Sequence, residues 1–152
     1  VLRRSNGLEL IEQQAVATER SGEGWSVRLR DGCGLTGRRL LLATGAAPAL
    51  PGLPEPVAGL IDGIQPIRGQ LLDAEGSAPR VQRAAEGYAA PGRASPDGLP
   101  MAGPVGEGLY LALAPRRNGW LLAPLVARAV RAGIEGRPAP EPGLDPARFL
   151  RP

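Results

Sequence analysis

A chain of 152 residues with 43% apolar and 22% charged residues can bury one sizeable core and lacks the composition of a disordered chain. Its 18 basic residues are all arginine, offset by 15 acids to a net charge of +3, and only five aromatics are present. The basic balance therefore lacks the stacking surface of a nucleic-acid binder, and with no histidine and a single cysteine, Cys33, the chain excludes histidine acid–base chemistry, an internal disulfide and a cysteine-cluster metal site.

Residues 8–20 (LELIEQQAVATER) alternate apolar and polar, which predicts one or two half-buried strands. SGEG (21–24) reads as a turn, WSVRLR (25–30) as a strictly alternating strand, and DGCG as the close of a hairpin that makes Cys33 a turn residue. RRLLLATGA (38–46) is a continuous apolar run ending at Thr44–Gly45, the pattern of a buried, parallel-type strand. Residues 47–66 are broken by proline and glycine into a loop with room for one short helical turn, and IRGQLLDA (67–74) reads as a further strand.

From Glu75 to Pro104 small, turn-forming residues follow one another closely, and little regular structure is expected. Leu109–Ala114 predicts a short apolar strand that breaks at Pro115, followed by the basic turn Arg116–Gly119. Residues 119–135 then carry a helical apolar stripe, with Pro124 expected in or near the first turn and Gly133 and Gly136 as terminators. The tail EPGLDPARFLRP is expected to be extended and anchored by Phe149 and Leu150. No run approaches the ~18 apolar residues of a membrane span and no leader pattern is present, so a cytoplasmic chain without a membrane partner is expected. The start at Val1 fits a fragment. Nothing in the sequence speaks to oligomeric state.

Strand, turn and helix N-terminus is a layout that aims free N–H groups and a positive dipole end at an electron-rich ligand, although the same layout also serves as a plain connector. Four segments in order give the turn a context: GLELIEQQAVATER (7–20), DGCGLTGRRLLLATGAAP (31–48), PIRGQLL (66–72) and SPDGLPMAGPVGEGLYLALAPRRNGWLLAP (95–124). Together they resemble the FAD-dependent D-amino-acid-oxidase superfamily, glycine-oxidase-like members above all, in which the last segment reads T-P-D-G-x-P-x-I-G … G-H-x-R-N-G-I-L-L-A-P.

The resemblance implies an α/β fold: a partial FAD-binding Rossmann-like domain (β-hairpin, parallel-type strands, C-terminal helix) with a remnant substrate domain. Residues 1–60 would form part of the FAD domain, 61–95 the loop-rich remnant, and 96–152 the strand and helix that complete the FAD domain. The family's strand–glycine-rich turn–helix for the pyrophosphate has no counterpart in the resemblance. The segment that ends in the family's substrate arginine is also missing.

Carried over position by position, the resemblance implies that Val16 offers backbone groups to the adenine and that Thr44 and Gly45 lie beside the cofactor. It implies that Asn118, Gly119, Trp120 and Leu121 form the turn whose N–H groups meet the flavin. An ordinary helix start with Asn118 as N-cap fits the same residues. Arg117 and Tyr88 would hold a substrate carboxylate, with Arg93 near, but one place out of register with, the family's other arginine. A solvated Arg117 and a loop-borne Tyr88 are the plain counterparts. The implied activity is hydride transfer from a small amino acid or amine to flavin, with O2 as oxidant. A non-catalytic remnant that binds no flavin is the alternative from a different class. The oxidase domain of the tRNA wobble-uridine modification enzyme is a related one, disfavoured by the Arg117–Asn118–Gly119 spelling.

Overall fold

The computed structural model describes the backbone of residues 3–5, 7–45, 47–71, 88–115 and 119–150, and the side chains of 7–45, 47–64, 95–115 and 119–150. The fold is mixed α/β. Among the described residues ten strands run in chain order: β1 (Arg3–Ser5), β2 (Leu8–Leu10), β3 (Ala15–Ser21), β4 (Gly24–Leu29), β5 (Gly34–Gly37), β6 (Leu40–Leu42), β7 (Gln65–Leu71), β8 (Tyr88–Ala94), β9 (Met101–Gly106) and β10 (Leu109–Leu113). Helix α1 (Glu55–Asp62) separates β6 from β7, and α2 (Gly119–Ile134) follows β10.

β3, β4 and β5 form an antiparallel meander. The expected turn at 21–24 tightens to Gly22–Glu23, with Gly22 at a φ of 58° as a two-residue hairpin loop demands. The second sheet has the order β6-β10-β9, with β6 parallel and β9 antiparallel to β10. The parallel-type strand expected at 38–46 is present, although only Leu40–Leu42 are paired and β6 stands at the edge.

β10 reads as an unbroken apolar run because both its faces are covered. Leu109, Leu111 and Leu113 join Trp25, Ile61 and Met101 in one cluster, and Ala112 packs on the other side with Ala102, Ala129 and Val130 beneath α2. Each fully buried leucine contributes about 2 kcal/mol. The meander is stitched to this sheet at the β9–β10 loop: Trp25 Nε1–H donates to the Glu107 carbonyl at 3.3 Å, and Arg20 donates to the same carbonyl at 3.0 Å.

Several expectations are corrected. The loop at 47–66 contains all eight residues of α1. Proline within its first turn is harmless because that N–H would be unpaired, and Val57, Ile61 and Ile64 supply a buried stripe. Between Glu75 and Pro104, β8 and the start of β9 are regular. Both are edge strands, where a proline removes no ladder bond that a neighbour needs.

The expectation for 75–87 and the end of the 67–74 strand lie outside the described residues. The tail is not extended but makes two 3-10 turns, Pro142–Leu144 and Pro146–Phe149, each led by a proline. Asp145 caps the second by accepting from the Ala147 N–H. Phe149 packs on the core as expected.

In α2, Pro124 stands inside the helix and not in its first turn. Pro124 has no N–H to offer the Trp120 carbonyl one turn earlier, a loss tolerated at the exposed start of the helix, where Trp120 is 97% exposed. Gly133 is also internal. Gly136 alone terminates the helix, at a φ of 67°, with the Arg137 N–H bonded to the Ala132 carbonyl and its own N–H to that of Gly133. Among the described residues, no helix is long and apolar enough to cross a membrane, and no cluster of metal-ligating side chains occurs.

Candidate functional site

Parallel strands present their C-terminal ends on one edge, and in open α/β sheets that edge is where ligands collect. Two residues beyond the paired Leu42 and Leu111, the strands reach Thr44 and Leu113. Thr44 is half-buried and its carbonyl accepts the Ala47 N–H at 3.1 Å, closing a turn in which Gly45 takes a φ of 61°. On the other strand Ala114 is buried and holds a φ of 58°, the one non-glycine residue in the left-handed region among those described. An L-residue there carries strain of about 1 kcal/mol that glycine would not. Pro115 follows, and α2 begins at Gly119, where an added methyl would meet the Pro115 ring at 3.5 Å.

Thr44–Gly45 and Ala114–Pro115 thus follow the parallel pair on one edge, and Pro115 lines the same groove as Gly119, the first residue of α2. Trp120 and Leu121 turn their side chains to solvent, at 97% and 79% exposure. Arg117 and Asn118 lie outside the described residues. Val16 is elsewhere, in the meander. The ladder steps from Ala15↔Leu29 to Ala17↔Arg28, so Val16 is the bulged residue with no partner opposite. A bulge frees backbone groups in the way an adenine contact would use.

Tyr88 and Arg93 both lie on β8, opposite Leu71 and Pro66 of β7. Five residues of extended chain put their α-carbons about 17 Å apart. Their side chains lie outside the described set.

From Pro115 an apolar groove of about 480 Å³ runs along α2, floored by Leu41, Ala112, Ala123, Val126 and Val130. It was not legible in the sequence, because the stripe on α2 predicts one buried face and says nothing of a second left open. The displaced pKa values lie away from the turn. Arg148 beside Asp97 holds that carboxyl well below the usual carboxylate range, and Arg131 and Arg137 lower Glu135 at the far end of α2.

No protein-family model and no curated protein matches this chain. One further pattern is resolved by the fold: GCGLTG (32–37) has the spacing G-x-G-x-x-G, but Gly34–Gly37 is β5 of the meander. A phosphate-binding turn needs a helix to follow it, and none does here.

Proposed function

We propose that the chain is part of an FAD-dependent oxidoreductase of the amino-acid or amine oxidase type, a partial Rossmann-like FAD domain with a remnant of its substrate domain. One observation carries the proposal: the parallel β6–β10 pair ends at Thr44–Gly45 and at the strained Ala114, directly ahead of the α2 N-terminus. Strain of this kind persists where the surroundings enforce it and clusters at ligand sites.

The residues present fit the flavin end of the cofactor. Gly45 and Gly119 offer backbone without side chains, the adjoining groove is apolar, and residues 32–54 and 108–134 contain no carboxylate. FAD, when bound, would accept a hydride from the substrate carbon. The first N–H groups of α2 would stabilise negative charge on the ring, Arg117 would orient a substrate carboxylate with Tyr88 and Arg93 as further candidates, and Val16 would offer its unpaired backbone to the adenine.

The second reading, a remnant that binds no flavin, is favoured by one observation: the chain's G-x-G-x-x-G spacing leads into a strand and so provides no helix for the pyrophosphate. Titration of the purified protein with FAD separates the two. Binding with quenched flavin fluorescence, weakened by Gly119→Pro, is the result expected of the oxidoreductase. Protein that leaves added FAD free in solution would establish the remnant.

A further inference from the structure

The meander carries two opposite charges that line one pocket and do not meet. Glu23, in the two-residue loop between β3 and β4, and Arg38, just past β5, both line a pocket of about 300 Å³, with Ser21 and Thr36 beside them. Among the described residues, none of these four side chains makes a hydrogen bond or an ion pair. The neighbouring Arg20 is already committed, paired with Glu107 at 3.1 Å and stacked over Trp25, so it does not neutralise Glu23.

The walls of this pocket are fixed by the sheet. Gly24 and Gly37 lie so close that a methyl on Gly24 would collide with the Gly37 carbonyl, and a methyl on Gly108 would come within 2.7 Å of the Arg38 carbonyl. Trp25 pairs with Gly37 in the ladder, is buried, and donates through Nε1 to the Glu107 carbonyl. The backbones next to Glu23 and Arg38 are therefore held at a set spacing, and a ligand can bind there without first ordering a loop.

We infer that this pocket binds a small zwitterion, a molecule carrying one ammonium and one carboxylate. Its carboxylate pairs with the Arg38 guanidinium and its ammonium with the Glu23 carboxylate, while the Ser21 and Thr36 hydroxyls can donate to one end or accept from the other. A simple anion is repelled by Glu23 and a simple cation by Arg38, so only a ligand with both charges gains at both walls. The inference does not rest on the oxidoreductase proposal, because the pocket shares no residue with the turn ahead of α2 or with the groove along it.

The test is titration of the isotope-labelled full chain, followed by the shifts of its assigned amide resonances, with glycine and 4-aminobutyrate as zwitterions of two lengths. Butyrate, butylamine and inorganic phosphate are the singly signed controls. Exposed ion pairs are individually weak, so a dissociation constant of about 1–10 mM is expected for the better zwitterion, at least about threefold below that of every control. The shifts should saturate and centre on residues 21–25 and 36–38, and added salt should weaken binding. Glu23→Gln and Arg38→Gln, both at exposed positions, should each weaken it by about three- to fivefold while circular dichroism stays unchanged.

Shifts that fail to saturate with either zwitterion would overturn the inference. So would a control that binds as tightly as the better zwitterion, shifts centred elsewhere in the chain, or binding that both variants leave unchanged. Should one variant lose its fold, the other decides by the same measure. Loss of FAD binding alone would leave the titration intact and bears only on the oxidoreductase proposal.

Discussion

Arg148, in the second 3-10 turn of the tail, reaches back across 51 residues to Asp97: Nε donates to Oδ2 at 2.7 Å and Nη2 to Oδ1 at 3.2 Å. The same guanidinium donates to the carbonyls of Leu99, Pro100 and Asp145, and its plane lies over the Phe149 ring at 4.3 Å. Asp97 also accepts from the Ser95 hydroxyl and the Leu99 N–H. One ion pair thereby ties the tail to the loop that enters β9.

Asp97→Asn should loosen this clasp and destabilise the chain by about 1–2 kcal/mol at neutral pH, a figure reduced from that of a buried charged pair because the carboxylate is 36% exposed. The folded-state pKa is held below the ordinary 3.8, chiefly by the Arg148 hydrogen bonds. The contribution is therefore complete above that value and disappears as pH falls toward the lowered one. Urea unfolding of both proteins should show the difference near pH 7, narrowing from about pH 4 downwards.

Two glycines inside helices should respond oppositely to alanine. A methyl on Gly133 would come within 2.8 Å of Pro104 Cδ, whereas one on Gly59 of α1 meets nothing within 4 Å. Gly59→Ala should stabilise by about 0.5–1 kcal/mol through helix propensity. Gly133→Ala gains the same propensity but must push α2 off β9, for a net loss of about 1 kcal/mol. Melting temperatures moving in the same direction would contradict the packing.

Ala114→Gly should relieve the left-handed backbone at the end of β10 and raise stability by about 0.5–1 kcal/mol. Ala114→Val adds a β-branched side chain at a φ of 58° and should lower it by more than about 2 kcal/mol. Thermal denaturation of the pair reads both signs at once.

Pro124→Ala restores the N–H that the Trp120 carbonyl lacks and should raise stability by about 1–3 kcal/mol, with greater helicity by circular dichroism. No change in either would mean that α2 is already relaxed around its proline.

β3, β4, β6, β10 and α2 were legible because each has a period of its own: alternation in the meander, an unbroken apolar run in β10, a 3.6-residue stripe in α2. α1 and β9 were not, since Pro54, Pro56 and Pro104 read as breakers. Proline is harmless in a helix's first turn and on a sheet edge, but only the neighbours reveal which of those positions it occupies. Gly133 misled for a related reason, being a contact for Pro104 and not a stop. Of the candidate site, Thr44–Gly45 and Gly119–Leu121 were visible as strand end and helix start, whereas the bulge at Val16 and the strain at Ala114 had no local signal.

The sequence by itself determined the mixed α/β elements, the absence of histidine chemistry and the confinement of positive charge to arginine, because propensity, periodicity and composition act within a few residues. Only the tertiary structure decided that β6 runs parallel to β10, that Arg148 closes on Asp97, and that an apolar groove runs along α2 among the described residues. Those outcomes depend on which distant segments share a surface, and chain entropy allows that choice to be made only when the whole core assembles.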